Sequence, residues 1–141
     1  FVLGTLPQKL QEEIVEGVAE AGISWTTVAM GGTAPLPWRQ MQDRSVPLGL
    51  GTDGIRDMWS PFGDGDMLRV AFQFARLHGL RHDDKLAAAV NLATRAGAHF
   101  VQRDIVLLDA ENVPDALVRC PQRKLVLSGG RVVARNGEVL V

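Results

Sequence analysis

The chain has 141 residues, 46% of them hydrophobic, with 15 Lys and Arg set against 16 Asp and Glu for a net charge of −1. That length suits one domain or a piece of a larger one, and that apolar content supports a packed core and excludes a disordered chain. No basic stripe is present and no apolar run is long enough to cross a bilayer, which argues against nucleic acid and membrane partners.

Phe1-Val2-Leu3 reads as the tail of a strand. Thr5 and Gln8 have the spacing of a capping box, and Pro7 suits a first helical turn. Leu10, Ile14, Val15, Val18 and Ala21 recur at helical spacing until Gly22 ends the helix. Residues 23–30 are rich in β-branched types and read as a buried strand with Trp25 in its core. Gly31-Gly32 reads as a turn, because no Lys and Ser/Thr follow at phosphate-loop spacing. Residues 38–44 make a helical turn whose Trp38 belongs to the core or to the edge of a pocket, and residues 46–51 make the next strand. A long loop, 52–64, leads to a helix over 65–78 that is apolar nearly all round and needs cover on more than one side. Gly63, Asp64, Gly65 and Asp66 supply its start, with carboxylates near the positive end of the dipole, and Gly79 stops it. Asp83 is placed to cap a further helix over 85–95.

After Phe100 the pattern changes. Residues 104–108 read as a strand and 113–119 as a short helix. Residues 124–127, 131–135 and 138–141 read as strands joined at Gly129-Gly130 and Asn136-Gly137, both suited to two-residue hairpin turns. Strands alternating with helices in the first part imply a parallel sheet with crossovers, whereas the tail implies antiparallel β. The domain boundary expected from this change separates residues 1–99 from 100–141. The first residue is Phe, and it opens into an ordered-looking segment, so the chain is expected to be part of something longer. No signal peptide is visible and the one cysteine, Cys120, has no internal disulfide partner, which together lead to the expectation of a cytoplasmic protein.

The most informative stretch runs from Gly49 to Pro61. A short apolar strand ends in Asp53, and a Gly-containing loop with Asp57, Trp59 and Pro61 follows before a helix begins. A carboxylate at the C-terminal end of a parallel strand, beneath a loop, is where an α/β barrel keeps its chemistry. A buried carboxylate there needs a cation or a proton. The histidines are less telling. His78 lies near a helix C-terminus, where the dipole favours its charged form, and His82 and His99 read as surface or packing residues.

Gly51-Thr52-Asp53-Gly54, Asp57-Met58-Trp59-Ser60-Pro61 and Gly63-Asp64-Gly65-Asp66-Met67-Leu68 together resemble the last barrel strand and following helix of the amidohydrolase superfamily, in its cytosine-deaminase-like branch. Asp104 to Leu108 and Val126 to Val133 are similar to the C-terminal strands of such enzymes. The resemblance implies the C-terminal part of a metal-dependent-hydrolase (β/α)8 TIM barrel, followed by antiparallel strands of a small composite β-sandwich. It implies a divalent metal, zinc or iron, that activates a water for attack on an amidine-like carbon of a small nitrogen heterocycle such as cytosine, with loss of ammonia. It implies that Asp53 is the metal ligand and catalytic proton acceptor, with Trp59 packing on the substrate and Asp57 beside it.

Three departures sharpen that picture. No His-x-His pair occurs, so the other metal ligands are expected from the missing N-terminal half of the barrel, and the chain alone is expected to be inactive. Gly54 stands where cytosine deaminases carry a second acid, which opens the substrate to other cyclic amidines and amides. Only Val101-Gln102-Arg103 separates Phe100 from Asp104, where the relatives carry a turn and an extra strand. Unpaired sheet edges predict self-association or homo-oligomer formation of the isolated chain. The alternative function is a metal-free binding or scaffold domain, which a cooperatively folded monomer that takes up no metal would favour.

Overall fold

The computed structural model describes residues 3–29, 34–58, 61, 63, 65–101, 105–107, 125–128, 131–135 and 138–140. A 3-10 turn over Leu3–Thr5 leads into α1 (Gln8–Glu20), β1 (Trp25–Thr27), α2 (Trp38–Asp43), β2 (Leu48–Leu50), α3 (Met67–Leu77), α4 (Asp83–Ala93) and α5 (Arg95–Val101). Four strands follow: β3 (Ile105–Leu107), β4 (Leu125–Ser128), β5 (Arg131–Arg135) and β6 (Glu138–Val139). Among the described residues no helix is long and apolar enough to cross a membrane.

Helix α1 starts later than the Thr5–Gln8 spacing implied. The Leu6 N–H donates to the Leu3 carbonyl, so Thr5 sits inside a turn. Pro7 is the residue with extended backbone (ψ 142°) that a helix entry needs, and its carbonyl accepts from the Leu10 and Gln11 N–H groups. Gln8 is then the first helical residue, and its side chain reaches forward to Glu12 at 2.9 Å instead of back to a cap. The helix ends as expected. Gly22 has φ 64°, its N–H donates to the Ala19 carbonyl, and the Ile23 N–H donates to the Val18 carbonyl, which is a Schellman stop. Gly79 (φ 62°) ends α3 the same way, with Leu80 N–H bonded to the Ala75 carbonyl at 2.8 Å.

Strands β1 and β2 pair in parallel, Trp25 beside Leu48 and Thr27 beside Leu50, with α2 as the crossover. Leu48 and Leu50 are buried, and so are Val15 and Val18 of α1, Trp38 and Met41 of α2, Phe74 of α3 and Leu92 of α4. These form one core around β2, and no charged or polar residue is buried among the described ones. Asp66 caps α3 by accepting the Leu68 N–H at 3.0 Å. At α4 the cap expected of Asp83 is not made. His82 has the extended backbone of the N-cap, and Asp83 and Asp84 lie in the first turn, where the dipole favours them. Helix α5 was not anticipated. It forms because Gly97 and Phe100 lie against Gly49 of β2, where any larger residue at position 49 would run into the Phe100 ring.

The tail is an antiparallel sheet in the order β3-β4-β5-β6. Ser128 pairs with Arg131 and Arg135 with Glu138, the registers of two-residue hairpins. The turn residues themselves, the expected helix over 113–119 and the Gly31-Gly32 loop lie outside the described residues.

Candidate active site

The parallel pair carries the candidate site at its C-terminal end. The Gly51 N–H donates to the Thr27 carbonyl at 2.9 Å, so the strands stay together one step past Leu50. Thr52 and Asp53 follow. The Thr52 hydroxyl donates to the Asp53 carbonyl at 3.2 Å, and Asp53 takes a left-handed backbone, φ 59°. Aspartate tolerates that conformation better than most residues, yet it still costs on the order of 1 kcal/mol. Asp53 lines a cavity of about 360 Å³ together with Thr27, Val28, Phe74, Leu77 and His78. Asp53 is exposed in this chain, so the burial expected of it is not found. Its position past the end of a parallel strand is the one the sequence pattern implied.

The loop after Asp53 folds tightly on itself. A side chain at Gly63 would strike the Gly54 carbonyl, and one at Gly54 would strike the carboxylate of Asp57. The Asp57 carboxylate therefore lies where the first side-chain carbon of a larger residue at position 54 would sit. Asp57 is exposed, and Ile55 and Met58 on the same loop also face outward. Trp59 lies outside the described residues.

His78 shares the cavity with Asp53, which no pattern in the sequence announced. Its ring stands 4.3 Å from Phe74 and 5.9 Å from Trp38 between ring centres. The dipole argument for a charged His78 is overturned here. Burial first, and then the positive charge of Arg39, push its pKa down from 6.5 to about 4. The unfolded chain therefore takes up this proton before the folded one does. The stability His78 contributes as a neutral ring is full above about pH 6.5 and is lost as pH falls through about 4. This group adds at most about 1.4 kcal/mol per pH unit to the acid slope. His78→Leu is expected to remove that part of the slope, as measured by urea unfolding at a series of pH values across the window; an unaltered slope would contradict the assignment.

The other histidines pack at the surface. His99 Nε2 and the Ser24 hydroxyl are 3.2 Å apart, and the His99 ring stands edge-on to Phe100. His82 is exposed. Among the described residues no group of three or more His, Cys, Asp or Glu side chains is placed to hold a metal ion. One exposed carboxylate does not fit a catalytic metal, which takes about three or four protein ligands.

No family model matches the chain. It is 28% identical to the uncharacterized protein YahJ of Escherichia coli K12, over 94% of this chain and 32% of that one. It is 24% identical to N-isopropylammelide isopropyl amidohydrolase of Pseudomonas sp. strain ADP, over 96% of this chain and 36% of the relative. Among solved structures, N-isopropylammelide isopropylaminohydrolase of Burkholderia multivorans matches with TM-score 0.87 and 30% identity, over 99% of this chain and 39% of that one. The 5-methylcytosine deaminase of Klebsiella pneumoniae, liganded with 5-fluorocytosine, matches in fold, with TM-score 0.78 and 16% identity over 99% of this chain and 40% of that one. The chain thus spans about a third to two fifths of the length of the proteins it matches. The resemblance read from residues 49–68 stands: over nearly its whole length this chain is similar to a portion of amidohydrolase-superfamily enzymes, and that likeness is consistent with their C-terminal portion.

Proposed function

We propose that the chain is the C-terminal part of a metal-dependent hydrolase that cleaves an exocyclic C–N bond of a small nitrogen heterocycle. The reading rests on one observation: Asp53 stands just past the C-terminal end of a parallel strand, on the wall of a cavity, with a loop and a helix following. On this reading residues 1–99 complete the barrel of the whole enzyme and residues 100–141 join its β-sandwich. A divalent metal, zinc or iron, would be held mainly by the remaining part of the enzyme, and when bound it would supply Lewis-acid activation of a water. Asp53 would give that metal one anionic oxygen ligand, and its carboxylate would take up and return a proton.

Asp57 reads the substrate. What supports this is its exposed carboxylate on the loop that follows Asp53, standing against Gly54. A carboxylate there accepts hydrogen bonds from ring or exocyclic N–H groups, which suits a cyclic amidine or amide. Trp59, which lies outside the described residues, is the aromatic proposed to pack on the ring. The names of the relatives, an N-isopropylammelide hydrolase at 30% identity and a 5-methylcytosine deaminase by fold, favour a substituted triazine or pyrimidine.

The test is to co-express the chain with the part of the Burkholderia multivorans enzyme outside the matched region and to load zinc or iron. Amine or ammonia release is then assayed from N-isopropylammelide, cytosine and isocytosine. Turnover of at least one ring is expected from the assembled pair and none from the chain alone. An assembled, metal-loaded pair that turns over none of them would overturn the reading.

A further inference from the structure

His78 lines the cavity of Asp53 with no partner from its own chain. It is the C-cap of α3, and its N–H is bonded to the Phe74 carbonyl at 3.0 Å, which fixes its backbone. Phe74 and Trp38 hold its ring, at 4.3 and 5.9 Å between centres. Among the described residues the ring nitrogens make no hydrogen bond. The residue is half-buried, and with Asp53, Phe74 and Leu77 it lines a cavity of about 360 Å³. That volume lies in the range of roughly 300–1,000 Å³ usual for small-ligand pockets. A half-buried N–H is unfavourable until it finds an acceptor. The neutral ring offers one N–H and one acceptor nitrogen. Arg39, whose guanidinium lies 5.6 Å over the Trp38 ring, also sets a positive charge near the imidazole. That charge opposes a cationic partner and favours an electron-rich oxygen.

We propose that His78 is a specificity-determining residue of the same site: its imidazole N–H donates to a ring carbonyl oxygen of the bound heterocycle. The inference rests on the proposed function for placing the substrate at Asp53, and on the cavity and the held ring for the role of His78. The substrate class narrows accordingly, from any cyclic amidine to one that also carries a ring carbonyl. Asp57, an acceptor, takes the N–H side of such a ring, and His78, a donor, takes its oxygen. Phe74 and Leu77 line the same cavity, and apolar walls strengthen a hydrogen bond made between them. A ring that lacks the oxygen leaves the His78 N–H unpaired, which is the basis of its rejection.

The experiment compares two probes, cytosine and the aminopyrimidine that lacks its ring oxygen. Their binding to the metal-loaded pair, this chain with the rest of the Burkholderia multivorans enzyme, is measured by isothermal titration. Wild type is expected to prefer cytosine by about tenfold, the size of one such hydrogen bond. His78→Leu is expected to weaken cytosine binding by about tenfold and to leave the aminopyrimidine unchanged, so that the preference disappears. His78→Gln restores an N–H donor and is expected to keep most of the preference. A merely structural His78 would weaken both probes together. Should His78→Leu fail to fold, NMR of the His78 ring in the wild-type pair decides: cytosine is expected to shift its resonances, and the aminopyrimidine is not. An unaltered preference in His78→Leu, equal weakening of both probes, a His78→Gln pair as indiscriminate as His78→Leu, no binding of cytosine to wild type, or ring resonances that cytosine leaves unmoved would each overturn the inference. The two readings separate in the same samples. A preference that depends on His78, without hydrolysis of any ring, defeats the proposed function and keeps the inference. Hydrolysis by wild type, with the preference intact in His78→Leu, does the reverse.

Discussion

Asp53→Ala is expected to lower kcat/KM of the assembled enzyme by about 10²- to 10⁴-fold, the range set by removal of a positioned acid-base group. The same change should cost the chain only about 1 kcal/mol of stability, because Ala tolerates the left-handed backbone at this exposed position less well than Asp. The contrast is the informative part. Asp53 is exposed, so its truncation opens no cavity in the core. Its left-handed backbone, φ 59°, already holds strain of ~1 kcal/mol. Asp53→Gly relieves that strain but gains unfolded-state entropy of similar size, so it should be nearly neutral in stability, unlike Ala. Asp53→Asn keeps the shape and loses the charge, and should be as inactive as Ala if the carboxylate is the working group. Kinetics and urea unfolding on the three variants check this. Activity of the Ala variant within a fewfold of wild type would remove Asp53 from the site and take the strand-end reading with it.

How much of this was legible beforehand depended on the range of each interaction. The stops at Gly22 and Gly79 were readable because a Schellman end is written in one residue and its near neighbours. The parallel pair and the hairpin registers were readable for the same reason: hydrophobic runs and two-residue links are local signals. The start of α1 was misread because two local signals compete there, the Thr5–Gln8 spacing and the 3-10 turn that places Thr5 out of reach of the cap position. Helix α5 was missed because its segment contains Gly97, a poor helix former, and is held by Phe100 against Gly49, about a third of the chain away. The position of Asp53 was legible and its exposure was not, since exposure depends on which polypeptide covers the strand ends. His78 is the clearest case. Its place near a helix end suggested charge, and only its packing against Trp38 and Phe74, with Arg39 nearby, turned the sign.

Phe74→Ala should be the most damaging single substitution to the fold, at about 3–5 kcal/mol. Phe74 is 1% exposed and is the largest fully buried side chain of α3. Its ring meets Trp38 edge-on at 5.5 Å between centres, which ties α3 to the crossover helix α2, and it covers His78 at 4.3 Å. Truncation therefore loses apolar burial, one aromatic pair worth about 0.5–1.5 kcal/mol beyond its area, and the cover over a neutral imidazole. Against a total stability of about 5–15 kcal/mol for a domain, such a loss leaves little margin. Phe74→Leu keeps most of the volume and should cost markedly less. Two measurements separate this account from a general loss of packing. Urea unfolding gives the stability change. NMR titration of His78 in Phe74→Leu, the variant expected to stay folded, should show its pKa moving up from about 4 towards 6.5, because thinner cover readmits water to the ring. A stability loss with the His78 titration unmoved would mean that the burial of this histidine comes from Trp38 and Leu77 and not from Phe74.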